Sequence, residues 1–126
     1  MTIAGLEFMS KELLGLGINY EFGRWNSEPV YPYFVGNTSE VTKEDYPKET
    51  VFILEGFTRD SKLELLQVKE VIEKHFENGL TAILDNGSGV AVVYDDANCD
   101  IPTGDATLKK IQVNLTVKEW KVISND

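Results

Sequence analysis

Hydrophobic positions along this chain change period several times, and each change marks an element. In residues 2–17, Leu6, Met9, Leu13 and Leu16 recur at intervals of three and four, the spacing of one helical face. Thr2 can cap the start of this helix, and Gly15 and Gly17 can stop it. Gly5 in its interior costs about 1 kcal/mol relative to Ala, so the helix depends on packing. The period then falls to two: Ile18, Tyr20 and Phe22 alternate with Asn19 and Glu21, which predicts a strand with one wet face. Pro29 and Pro32 confine residues 31–40 to an edge strand or extended arm, because proline donates no ladder hydrogen bond. Residues 41–49 are polar, contain Pro47 and read as a loop. Residues 50–58 are β-branched, aromatic and nearly continuously apolar, which predicts a central strand covered on both faces.

The second half repeats the change of period. Ser61 and Glu64 have capping-box spacing, in which each would bond the other's backbone N–H. Behind them Leu65, Val68, Ile72 and Phe76 form one helical stripe that ends at Asn78-Gly79. Residues 80–85 and 90–94 flank Asn86-Gly87-Ser88-Gly89, a hairpin signal, since glycine takes the positive φ of a tight reversal. A polar loop is expected over residues 95–107. After it Ile111, Val113, Leu115 and Val117 alternate strictly with Gln112, Asn114, Thr116 and Lys118. The expected fold is therefore α+β: a mainly antiparallel twisted sheet with two helices packed on it, in the order α-β-β-β-α-β-β-β. The length of 126 residues fits a single domain spanning 1–126.

Composition narrows the chemistry. Twelve Lys+Arg against 21 Asp+Glu give a net charge of −9, which argues against a sequence-specific nucleic-acid binder. No apolar run approaches the roughly 20 residues that span a bilayer, and the start lacks signal-peptide character, so a cytosolic origin is expected. A single cysteine, Cys99, excludes an internal disulfide, and a single histidine, His75, excludes a multi-histidine metal site within one chain. Cys99 lies beside Asp96 and Asp100, whose charge disfavours a thiolate. His75 falls near the end of a predicted helix, where an imidazole meets the helix dipole. The acidic run 95–100 begins like a calcium loop. It fails where Ile101 replaces the turn glycine and Thr107 the bidentate glutamate. Asn86-Gly87-Ser88-Gly89 is followed by a strand rather than by the helix a phosphate loop needs. No catalytic residue, cofactor or metal is expected. Carboxylate chemistry stays open as an alternative, as does a small ligand-binding domain, because 21 acidic residues always offer some pair.

The aromatic residues between Tyr20 and Phe34 are more informative. Trp25, Tyr31, Tyr33 and Phe34 sit on the proline-interrupted segment, and exposed aromatic side chains near a sheet edge make an interaction surface. These four are the candidate interface residues, with the loops at 36–49 and 95–107 as further contact regions.

Three segments carry a family resemblance: INYEFGRWNSEPVYPYFV at 18–35, the stretch 50–66 with its Gly-Phe-Thr before a capped helix, and 85–121 with DNGSG and NLTVKEWKV. Together and in this order they resemble the tail terminator, or tail completion, proteins of long-tailed bacteriophages and prophages, which include minor tail and minor capsid components. The resemblance implies a non-enzymatic virion structural protein that caps the tail tube as a ring-shaped homo-oligomer, a hexamer, and joins it to the head connector. The partners it implies are further copies of the chain, the tail tube protein and the head–tail connector protein, with no membrane. A stable monomer in isolation is implied too. Localisation would be the bacterial host cytoplasm during assembly and then the head–tail junction of the virion. A connector or stopper role at the same junction is the neighbouring alternative.

Overall fold

A computed structural model describes residues 1–40 and 45–121. Its elements are α1 (Ile3–Gly15), β1 (Tyr20–Phe22), β2 (Tyr33–Glu40), β3 (Lys48–Thr58), α2 (Lys62–Phe76), β4 (Leu80–Ile83), β5 (Gly89–Ile101) and β6 (Lys109–Trp120). The strands form one curled sheet in the order β1-β2-β3-β6-β5-β4. Only β1–β2 is a parallel pair; all other neighbours are antiparallel. The fold is α+β, with the expected order of elements.

Both helices lie on one face of the sheet. Burial along β6 alternates without interruption through Ile111, Val113, Leu115, Val117 and Glu119. Their partners in β3 are Gly56, Leu54, Phe52 and Thr50 for the first four, so the two central strands turn one set of side chains to the helices. Met9 and Leu13 of α1 and Leu65, Ile72 and Phe76 of α2 complete this core, and all five are fully buried. Leu6, Leu16 and Val68 pack at its margin.

Two glycines let large rings lie flat against the strands. A Cβ on Gly56 would sit 2.4 Å from the Phe34 ring of the paired β2 residue, and one on Gly36 would sit 2.6 Å from the Tyr20 hydroxyl. That hydroxyl is buried with no hydrogen-bond partner among the described residues, and its desolvation pushes the Tyr20 pKa well above the usual tyrosine range.

The start of α1 is built on the opposite side of the sequence. Thr2 Oγ1 accepts from the Gly5 amide at 3.0 Å, as a cap should. Glu119, buried in β6, accepts from the Thr2 amide at 3.1 Å and from the Thr2 hydroxyl at 2.5 Å. Its carboxylate lies where a Gly5 Cβ would fall, 2.8 Å away. Gly5 therefore opens the space through which a carboxylate reaches the positive end of the helix.

Several expectations require correction. Residues 50–58 are central but covered by the helices on one face only; Val51, Ile53 and Phe57, on the face neither helix covers, are half-exposed. The segment 31–40 is not the outermost strand. Three residues of β1 flank it at Phe34, Val35 and Gly36, and residues 37–40 have no strand beside them among the described residues. The loop assigned to 95–107 is strand as far as Ile101, held to β6 across two register shifts that absorb its polar sequence. Of the loop at 41–49, residues 41–44 lie outside the described residues, and β3 already begins at Lys48. Ser61 does cap α2, but its hydroxyl bonds the Leu63 amide rather than that of Glu64. The Glu64 carboxylate turns instead to the Thr58 hydroxyl, at 3.5 Å.

Candidate functional site

The helix-free face of the sheet gathers most of the chemically distinctive side chains. Tyr33 and Phe57 are cross-strand partners in β2 and β3, and their rings stack with centroids 5.2 Å apart. Trp25, on the arm between β1 and β2, lies against the other side of Tyr33 at 4.9 Å, and Tyr31 joins at 5.8 Å. Lys110 of β6 holds its ammonium 5.5 Å from the Phe57 ring centroid and pairs with Glu55 at 2.5 Å. The result is a half-exposed row Trp25–Tyr33–Phe57, closed at one end by a cation.

Geometry explains why this arm is ordered. The Trp25 indole N–H donates to the Glu28 carbonyl at 3.1 Å, and the Asn26 amide donates to the Glu21 carboxylate at 2.6 Å. Arg59, just past β3, ties the arm to the loop before β6: it donates to the Tyr31 hydroxyl at 3.2 Å, to Asp105 at 2.8 Å and to Thr107 at 2.6 Å. These donors, Arg59 first and then the Thr107 amide and hydroxyl, hold the Asp105 carboxyl well below the usual range, at about 2. Burial raises the Tyr33 pKa, helped by Tyr31 and opposed by Arg59.

Away from the row, the open face is a polar ladder. Gln112 donates to Asn114 at 3.0 Å, Asn114 to Asp96 at 2.7 Å, and Thr116 to Asp95 at 2.5 Å. The acidic run that resembled a calcium loop is thus spent partly on cross-strand hydrogen bonds. Among the described residues no three His, Cys, Asp or Glu side chains converge to hold a metal ion, and no helix is long and apolar enough to cross a membrane.

The four aromatic candidates separate. Trp25, Tyr31 and Tyr33 come together on the open face. Phe34 does not: it is fully buried on the opposite face, packed on Gly56, because neighbouring residues in a strand point to opposite sides. Phe57, Arg59 and Lys110 were missed. Their signal is the β2–β3–β6 register, which no local pattern reveals across the 41–47 connection. Of the two contact loops, residues 36–40 and 48–49 lie in strands and 95–101 in β5, which leaves 45–47 and 102–107 as loop among the described residues.

His75 and Cys99 have structural surroundings. The His75 Nε2 lies 2.8 Å from the Glu12 carboxylate and so links α2 to α1, while the ring meets Phe76 edge-on. Cys99 is half-buried against the core. A cleft of about 640 Å³ opens at the far end of the sheet between Thr2, Tyr46, Glu119 and Trp120. Its buried carboxylate, Glu119, already bonds Thr2.

No family model matches the chain, and no curated protein matches it. A solved structure with 12% sequence identity superposes with a TM-score of 0.67, over 98% of this chain and 99% of that one. That protein carries only a serial designation, and at this identity the likeness extends to the fold alone.

Proposed function

We propose that this chain is a non-enzymatic structural protein of a phage or prophage particle, tail terminator-like, which works by assembling into a ring that caps the tail tube and meets the head connector. The starting point is the resemblance carried by 18–35, 50–66 and 85–121. The observation that supports it best is the aromatic row Trp25–Tyr33–Phe57 on a sheet face that neither helix covers. Aromatic side chains held rigid by one another lose little entropy when a partner covers them, and Trp and Tyr dominate the energetics of protein interfaces. The charge of −9 agrees with a protein that DNA must pass without adhering. Assembly would take place in the host cytoplasm, and the finished protein would sit at the head–tail junction.

Trp25→Ala and Tyr33→Ala provide the test, scored on protein whose circular dichroism shows it folded. The expected outcome is loss of ring formation and of tube capping in negative-stain images. Intact capping with either folded variant sinks the assignment of the row. Particles lacking the protein distinguish a terminator from a connector: overlong tubes for the first, normal tails without heads for the second.

A further inference from the structure

The sheet ends in two edges, and each has a guarded and an unguarded part. On one side β5 runs for 13 residues, but β4 pairs only with its residues 89–92. The rest of that edge, 93–101, carries Asp95, Asp96 and Asp100 and two register shifts, the devices that keep an edge from pairing with another chain. β4 itself, Leu-Thr-Ala-Ile, has no charge, no proline and no bulge, and Ile83 is 76% exposed. On the other side β1 covers β2 only at residues 34–36, and its chain then leaves as the arm that folds over the open face. Residues 37–40 of β2, Asn-Thr-Ser-Glu, have no strand beside them among the described residues, and the Glu40 carboxylate at their end pairs with the Met1 ammonium.

The hydrogen-bonding groups on these edges can be assigned. The Phe34 amide donates to Asn19 and the Gly36 carbonyl accepts from Gly23, so even-numbered residues of β2 point away from β3. Thr38 therefore presents a free N–H and C=O outward. In the hairpin, the Leu84 amide bonds Ser88, so even-numbered residues face β5 and the backbone groups of Thr81 and Ile83 point outward. Through the alternating ladder β2-β3-β6-β5-β4, the strands β2 and β4 run in the same direction.

We infer that these two bare edges are the two halves of one self-interface: β4 of one copy adds as a parallel strand to residues 37–40 of β2 in the next. A second copy is the occupant because each chain carries both halves, on opposite sides, matched in length and in direction. A contact between two different patches is head-to-tail; repeated, it gives a ring where the rotation closes and an open filament where it does not, and the proposed ring is the closed case. The inference gives the proposed ring a strand-to-strand contact beside the aromatic row, and to that extent it rests on that reading.

Proline variants test it, because Ile83→Pro and Thr38→Pro each delete an outward N–H and leave the inward ladder intact. Ile83→Lys and Ser39→Lys guard the same edges by charge and serve if proline costs the fold. Association is followed by sedimentation over a concentration series of the full chain. Each edge variant is expected to weaken association by about tenfold or more. An equimolar mixture of a β4 variant with a β2 variant is expected to stop at dimers, because each chain then has one working edge. Unchanged association in folded variants overturns the inference, and so does a wild-type chain that, monomeric when dilute, still shows no association at the top of the concentration series. Loss with β4 variants alone, without dimers in the mixture, also overturns it and points to a twofold β4–β4 contact or a foreign strand. Tube capping by wild-type protein is scored separately, so the ring reading can survive when this contact fails.

Discussion

The two faces of the sheet are made of the same strands but use their side chains in opposite ways. On the helix-covered face, Phe34 lies on Gly56 and Tyr20 over Gly36, each ring in a space that a single methyl group would fill. On the open face, Tyr33, the residue before Phe34, stacks only on other half-exposed rings, and neighbouring positions exchange polar bonds among Gln112, Asn114 and Asp96. One face spends its apolar area on holding the chain together. The other keeps part of that area available, which is what a protein that works by contact requires.

The comparison can be broken by stability measurements. The largest effect is expected from Phe34→Ala, about 3–5 kcal/mol in urea denaturation, since it empties a fully buried aromatic site. Gly56→Ala should cost about 1–3 kcal/mol by pushing a methyl group into the Phe34 ring. Combining it with Phe34→Leu should cost less than the sum of the two single changes.

Next comes the buried carboxylate. Glu119→Ala removes two hydrogen bonds from the start of α1 and should cost about 2 kcal/mol. In that background Gly5→Ala should turn from unfavourable to neutral or better, because the oxygen that a Cβ would strike is gone. A double-mutant cycle with no coupling would refute the link between Gly5 and Glu119.

On the open face, Trp25→Ala should cost only about 1 kcal/mol, the value of a partly exposed ring pair, while releasing the arm. Faster amide exchange at residues 24–31 would report that release. A cost equal to that of Phe34→Ala would erase the distinction between the faces.

The smallest effect is electrostatic. Asp105 has its folded pKa lowered to about 2 from an ordinary 3.8, because Arg59 and Thr107 donate to the carboxylate. Its contribution is therefore complete above about pH 4 and is lost as pH falls through the folded value. Carboxyl chemical shifts in an NMR titration should show Asp105 still ionised at pH 3, and Arg59→Gln should move its midpoint upward.

Much of this architecture was legible locally because local chemistry decides it. Periods of three to four and of two identify both helices, the β4–β5 hairpin and the last strand, and Thr2 and Ser61 cap the helices they precede. Legibility ended where a partner lies far along the chain. The polar run 95–101 looks like a loop because its side chains bond across to Asn114 and Thr116 on another strand. The Ser61–Glu64 box fails because Thr58 competes for the carboxylate.

What the sequence by itself determined is the set of elements, their order and the α+β class, since periodicity and capping act within a few residues. It also placed Trp25, Tyr31 and Tyr33 on one arm. Only the tertiary structure decided which face of the sheet the helices cover, and hence that Phe34 is core while Tyr33 is surface. It alone brought Phe57, Arg59 and Lys110 to the row, and made Gly5 a space for Glu119 rather than a weakness in α1. The physical reason is common to all three. Strand register and helix placement are set by contacts between residues 20 to more than 100 positions apart, such as Tyr33 with Phe57 and Thr2 with Glu119, and no local pattern encodes them.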